Sequence, residues 1–126
     1  MNLPYAVISS EALPPFRSLS PRDALWEHAR NSLGIARLLV QEGRSVRLVS
    51  TACAMTIETA CRAALEQAGL GFDGDVEAAL VRLGAPRSLR LRADGAPRDL
   101  VAAAEGVLGW IASYLRREAP EHSWGF

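Results

Sequence analysis

Between Leu48 and Cys61 the chain carries one charge, Glu58, in a stretch without glycine or proline. Ser45 stands before this stretch as a helix cap and Gly69 after it as a helix stop, so the pattern predicts one helix over Val46 to Ala68. Spaced at 100° per residue, Val46, Val49, Cys53, Ile57, Ala60, Ala64 and Ala68 form a stripe, while Leu48, Met55 and Leu65 fall on other faces. A helix that is apolar nearly all round must be covered on most sides. It is too short, and too broken by Ser and Thr, to span a bilayer, so it belongs at the centre of a bundle or at a subunit contact.

The flanking sequence supplies the neighbours such a helix needs. Ser20-Pro21-Arg22-Asp23 is a helix start, with a serine cap, a proline at the first helical position and an acid in the first turn. That helix is expected to run to Glu42 and end at Gly43, burying Leu25, Trp26, Ala29, Leu33, Ala36 and Val40, with Arg30 and Arg37 on its solvated outer face. Phe72-Asp73-Gly74-Asp75 reads as a turn with an acidic cap that opens a short third helix, about Asp75 to Leu83, stopped by Gly84. A loop over Ala85 to Ala96 leads to a last helix from Pro97, ending before Pro120, whose core stripe is Leu100, Ala104, Val107, Leu108, Ile111 and Leu115. On another side of that helix Ala102, Gly106, Gly109 and Ser113 form a strip of small residues beside Trp110 and Tyr114.

The expected fold is therefore all-α: an up-and-down four-helix bundle over residues 20–119, preceded by an extended arm over residues 1–19 and followed by a C-terminal tail over residues 120–126. The arm holds Pro4, Pro14 and Pro15 and no sustained period; its Tyr5, Val7, Ile8 and Phe16 are expected to lie against the domain or a partner. With 126 residues, 49% of them apolar, the chain is long enough for one core without disulfides or metals.

Fourteen basic residues, all arginine, balance fourteen acidic ones, so no global field draws the protein to nucleic acid or to an anionic membrane. The absence of lysine excludes a lysine nucleophile, a Schiff base and a phosphate-loop lysine. Cys53 and Cys61 stand about 12 Å apart along one helix axis and cannot pair with each other. Unpaired thiols, a start at Met1-Asn2-Leu3-Pro4 without a basic leader region, and no spanning apolar run point to a cytoplasmic protein without membrane contact.

Candidate chemistry is sparse. His28 and His122 lie at opposite ends and the cysteines have no CxxC spacing, so no metal site is expected, and no nucleotide-binding glycine motif implies a cofactor. Glu58, alone in its apolar surroundings, reads either as a buried acid/base carboxylate or as a half-exposed ion pair with Arg62 at i+4. His28, at the edge of the first helix's core face, reads either as a packed histidine or as part of the same polar site. Arg87, Arg90, Arg92 and Arg98, with Arg82 before them, form either a basic patch for phosphate or RNA or an ordinary solvated loop. Arg117 and His122 pair an arginine that stabilises phosphate charge with an imidazole that moves a proton, a minimal set for metal-independent RNA cleavage. Pro120 breaks the helix between them.

The order of elements resembles the HEPN domains. The likeness covers about Asp23 to Leu115 and rests on Trp26-Glu27-His28-Ala29-Arg30-Asn31-Ser32-Leu33, Ile57-Glu58-Thr59-Ala60-Cys61-Arg62-Ala63-Ala64-Leu65, and Asp94-Gly95-Ala96-Pro97 leading into the last helix. The resemblance implies a small helical bundle that dimerises. In active members an arginine followed four to six residues later by histidine, near the start of the last helix, forms a ribonuclease centre at the dimer interface. The matching stretch here, Leu89 to Asp99, has no histidine, and only Arg117 and His122 keep the spacing, one helix length late. The implied function is a non-catalytic, homodimeric binding or regulatory domain, partnering a nucleotidyltransferase-like protein or RNA in a toxin–antitoxin-like setting. A ribonuclease using Arg117 and His122, and a bundle holding a small apolar ligand, are the alternatives.

Overall fold

In a computed structural model the described residues are 19–89, 91 and 95–126. They form four helices: α1 (Pro21–Gln41), α2 (Val46–Ala68), α3 (Val76–Arg82) and α4 (Pro97–Glu118). No strand occurs among the described residues. Residues 1–18 of the expected arm, together with Arg90 and Arg92 of the expected basic patch, lie outside them.

The helix ends follow the local chemistry. The Ser20 hydroxyl accepts from the Asp23 amide at 3.1 Å and the Ser45 hydroxyl from the Leu48 amide at 3.4 Å, each satisfying one amide that the helix itself leaves unpaired. Asp75 caps α3 in the same way, accepting from the Ala78 amide at 3.1 Å. Gly69 closes α2 in the left-handed region, with φ of 73°, where a side chain would be strained. α4 starts on Ala96 without a side-chain cap, relying on Pro97 at its first position.

α2 is the centre of the bundle. It packs most extensively against α1, then against α4, and it alone receives α3. Eleven of its residues are buried, and most of those are small: Ala52, Cys53, Ala60, Cys61, Ala63 and Ala64 leave little side-chain bulk between the helix backbones. Buried Thr56 and Thr59 keep their hydroxyls satisfied by donating back to the carbonyls of Ala52 and Met55, at 2.8 and 2.7 Å, so neither polar group is stranded in the core. The bulk comes from the neighbours: Leu33 of α1 and Leu100, Leu108, Ile111 and Leu115 of α4 are fully buried.

The stripes assigned from periodicity hold at their centres and fail at their ends. On α2, Val46 is 47% exposed and Ala68 is exposed, both in the terminal turns of the helix; Leu65, assigned to another face, is fully buried. On α1, Leu25 and Val40 are only partly buried. On α4 every expected core residue is buried. Arg37 is on a solvated face, as expected, and from there it also bridges α1 to α4: its Nη2 and Nε donate to Glu105 Oε2 at 2.6 and 2.9 Å.

The segment after α4 folds back onto the bundle. Trp124 is buried, and its indole N–H donates to the Ala119 carbonyl at 3.0 Å. Its ring meets Trp26 edge to face at 6.0 Å between centroids, Phe126 meets Trp26 in the same way at 6.2 Å, and the Arg22 guanidinium lies over Trp124 at 5.0 Å. Edge-to-face rings and a stacked guanidinium add to the burial of apolar area. Trp124→Ala is therefore expected to lower unfolding stability by about 3 kcal/mol, read from urea denaturation; a loss under about 1 kcal/mol would show that the tail does not hold the bundle.

Candidate functional site

The residues singled out by chemistry do not converge on one place. His28 is on α1, exposed, on the flank turned away from α4. Glu58 and Arg62 lie on α2, their side chains 47% and 46% exposed, with Arg62 Nη1 4.0 Å from Glu58 Oε2. Of the two readings for Glu58, this geometry is the half-exposed ion pair. Arg62 is also drawn toward Phe72, its guanidinium 5.9 Å from the ring centroid, so it does not close tightly on the carboxylate.

Arg117 is exposed in the last turn of α4, where a cation interacts favourably with the helix carboxyl end. His122 lies beyond Pro120 in the returning tail, its ring tilted against Trp124 at 5.6 Å and its Nε2 3.7 Å from Glu121 Oε1. The tail turns His122 toward the start of α1, where its charge is felt by Asp23. No hydrogen bond joins Arg117 to His122 among the described residues: the histidine ring lies against Trp124 and near Glu121. Of the loop arginines within the described residues, Arg87 lines a cleft of about 270 Å³ with Glu77, Leu80 and Pro86. Arg98 lines another, of about 480 Å³, with Arg44, Val40 and Asp99. The two are separate sites, and each holds a carboxylate beside its arginine.

Among the described residues no group of His, Cys, Asp and Glu is placed to hold a metal, and no described helix is long and apolar enough to cross a membrane. Both cysteines are buried and free. Burial, aided by the Glu58 charge, pushes the Cys61 thiol up to about 12; burial and Glu105 raise Cys53 as well. Thiols held protonated this way are poor nucleophiles.

The subunit contact that the sequence allows on the second helix has a counterpart on α1 that sequence reasoning passed over. Helical spacing sets Ala24, His28, Asn31, Ile35 and Leu38 along the flank of α1 turned away from α4. The adjoining flank of α2 carries Leu48, Met55 and Thr59. Ile35 and Leu38 are 54% and 51% exposed, and Leu48 and Met55 are 41% and 47% exposed. These four carry no charge, Thr59 beside them is buried, and the same line of α2 continues into exposed Arg62 and Glu66. The signal was present in Leu48 and Met55, which lie off the second helix's main stripe, and in Ile35, which lies off the first helix's. The small-residue strip of α4 is different. Ala102, Gly106 and Ser113 are exposed, a Cβ at Gly106 would meet nothing within 4 Å, and Phe126 already covers Gly109.

No family model matches this chain, and no curated protein or solved structure matches it either.

Two outcomes follow from the buried groups. In the native state neither Cys53 nor Cys61 is expected to react with iodoacetamide at pH 8 within the time that both are consumed in urea; rapid native alkylation would contradict their burial. Asp23 is held below its ordinary 3.8: burial raises it, but hydrogen bonds from Arg22 and Ser20, with the charges of Arg22 and His122, outweigh that. A depressed carboxylate contributes stability above its unfolded value and loses it as pH falls through the folded one. The urea midpoint should therefore fall less between pH 4 and pH 2 in Asp23→Asn than in the wild type, and equal falls would exclude the ion pair as a source of acid sensitivity.

Proposed function

We propose that this chain is a non-catalytic, HEPN-like helical domain that pairs with a second copy of itself through the apolar flank of α1 and α2, and serves as a binding or regulatory partner. The observation that carries the reading is the apolar flank itself: four large apolar side chains, each roughly half exposed, on two adjacent helices, with no charge among them. Contiguous apolar surface of this kind marks interaction sites. A two-fold pairing would bury eight such side chains. At about 1 kcal/mol for the remaining half of each, the gain is comparable with the lower estimates of the cost of association, which favours a concentration-dependent dimer over an obligate one.

The resemblance to HEPN domains supports the same assembly from a separate direction, and a nucleotidyltransferase-like protein or RNA as the further partner rests on that resemblance alone. The scattered positions of His28, Glu58, Arg117 and His122 favour a binding role over catalysis.

Light scattering from about 5 µM to about 1 mM, a span chosen to bracket micromolar to millimolar dissociation, tests the pairing. The wild type should pass from monomer to dimer across that range, and Ile35→Glu with Met55→Glu should remain monomeric with unchanged helicity, since both positions are exposed. Gly106→Leu, on the α4 strip, should dimerise like the wild type. A wild type that stays monomeric throughout, or a dimer that survives the double variant, would overturn the assignment. RNA cleavage by the wild type that is lost in His122→Ala would instead favour a ribonuclease using Arg117 and His122.

A further inference from the structure

Trp26 is 3% exposed, and its indole N–H is buried without a hydrogen-bond partner among the described residues. Buried donors are nearly always paired, so this one marks a place where the packing is unfinished. The ring is covered by the tail that follows α4. Trp124 and Phe126 meet it edge to face. Phe126 also reaches α4, where its ring lies 4.0 Å from a Cβ placed on Gly109. α1 and α4 meet each other much less than either meets α2, and Phe126 sits in the groove that this leaves between them.

The tail is fastened to itself rather than to that groove. The His122 amide and the Trp124 indole N–H both donate to the Ala119 carbonyl, at 3.3 and 3.0 Å, which closes the tail into a turn. No hydrogen bond among the described residues joins 120–126 to α1 or α2. Arg22 lies over the Trp124 ring, but its N–H groups are directed to Asp23 and Gln67, at 3.0 and 2.7 Å. Docking on α1 thus rests on ring contacts and a stacked guanidinium, and Phe126 remains 42% exposed. An element held in this way is expected to open locally, at less cost than unfolding the bundle.

We propose that residues 120–126 are an exchangeable occupant of the groove between α1 and α4, and that a peptide segment of a partner protein, bearing two aromatic side chains, replaces them there. The tail itself shows what the groove accepts: two rings with one residue between them. What the tail does not supply is an acceptor for the Trp26 N–H. A main-chain carbonyl of the incoming segment would supply one, and pairing a buried donor favours the exchange. Opening requires rotation only beyond Ala119, where the helical hydrogen bonds of α4 end, so the core residues of α2 and α4 stay buried. The groove and the α1–α2 flank use different residues, and neither depends on the other.

Two measurements on the full ¹⁵N-labelled chain test this. In the wild type the Trp26 indole N–H should be protected from hydrogen exchange at least about tenfold less than the amides of Ala60 and Ile111, which are freed only when the bundle unfolds. Equal protection would show that the tail does not open by itself, and would overturn the proposal. The second measurement uses a capped peptide with the sequence of residues 120–126 as the probe. Trp124→Ala, which vacates the groove, should bind it saturably with a shift of the Trp26 indole signal. The wild type, whose own tail competes, should bind it at least about tenfold more weakly, and Phe126→Ala should fall between the two. The same peptide with alanine for its tryptophan should bind none of them. No shift of the Trp26 signal in either variant, or equal affinity in wild type and Trp124→Ala, would overturn the proposal. A wild-type dimer that Trp124→Ala abolishes would make a second copy's tail the occupant, and would overturn the partner segment.

Discussion

The close approach of α1 and α2 is the contact on which the rest of the molecule depends. It is possible because the buried side of α2 is built largely from alanine, cysteine and threonine, whose side chains add little between two backbones, and because Ala29, Ser32 and Ala36 of α1 meet them with equally small ones. Packing at that distance leaves no room for an unsatisfied hydroxyl, and the threonines avoid one by donating to their own helix. Where the two helices meet their side chains are small, and the large apolar side chains that exclude water come from α4 and from a few positions on the pair, Trp26, Leu33, Val49, Ile57 and Leu65.

That division of labour explains why the bundle needs its tail. Three helices around an alanine-rich centre close well along their length but leave the ring of Trp26, at the start of α1, to be covered by something else. Trp124 and Phe126 cover it, and Arg22 links the cover to α2 by donating to Gln67 Oε1 at 2.7 Å while stacking on Trp124. The indole N–H of Trp26 is buried there without a partner among the described residues, an omission that costs about 1–3 kcal/mol and is outweighed by the aromatic contacts around it.

Most of this architecture was legible in the sequence because it is governed by short-range chemistry. Serine and aspartate caps, prolines at first helical positions and glycines at helix ends gave boundaries for α2 and α4 that the structure reproduces, and α1 and α3 differ from expectation by a residue. The core of α4 followed from its period alone. Exposure at helix ends did not, since Val46 and Ala68 have core-like positions on the wheel but stand in the terminal turns of α2 and are exposed. The solvated face of Arg37 follows from periodicity, but its link to Glu105 does not, because periodicity reports which face a residue occupies and not which helix lies beside that face. The docking of Trp124 depends on a turn after Pro120 and on rings about a hundred residues apart, a long-range contact that no local pattern encodes. The candidate site residues were recognisable as chemical types, but their separation in space was not.

The same limit decides which surface deserves to be called unpartnered. A strip of small residues, such as Ala102, Gly106 and Ser113 on α4, exposes backbone but gives little apolar area to remove from water, and the neighbouring Trp110 and Tyr114 already stack on each other at 5.9 Å. Ile35, Leu38, Leu48 and Met55 have no comparable neighbour among the described residues. Their exposure follows from the arrangement that made the core: with α4 and α3 both taken up on other sides of α2, nothing remains in the described bundle to cover the outer flank of the α1–α2 pair. A helix apolar nearly all round has then been satisfied on three sides only. The fourth side, apolar at Leu48 and Met55 and charged farther along at Arg62 and Glu66, is left by having one helix too few among the described residues, and the proposed pairing would cover its apolar part.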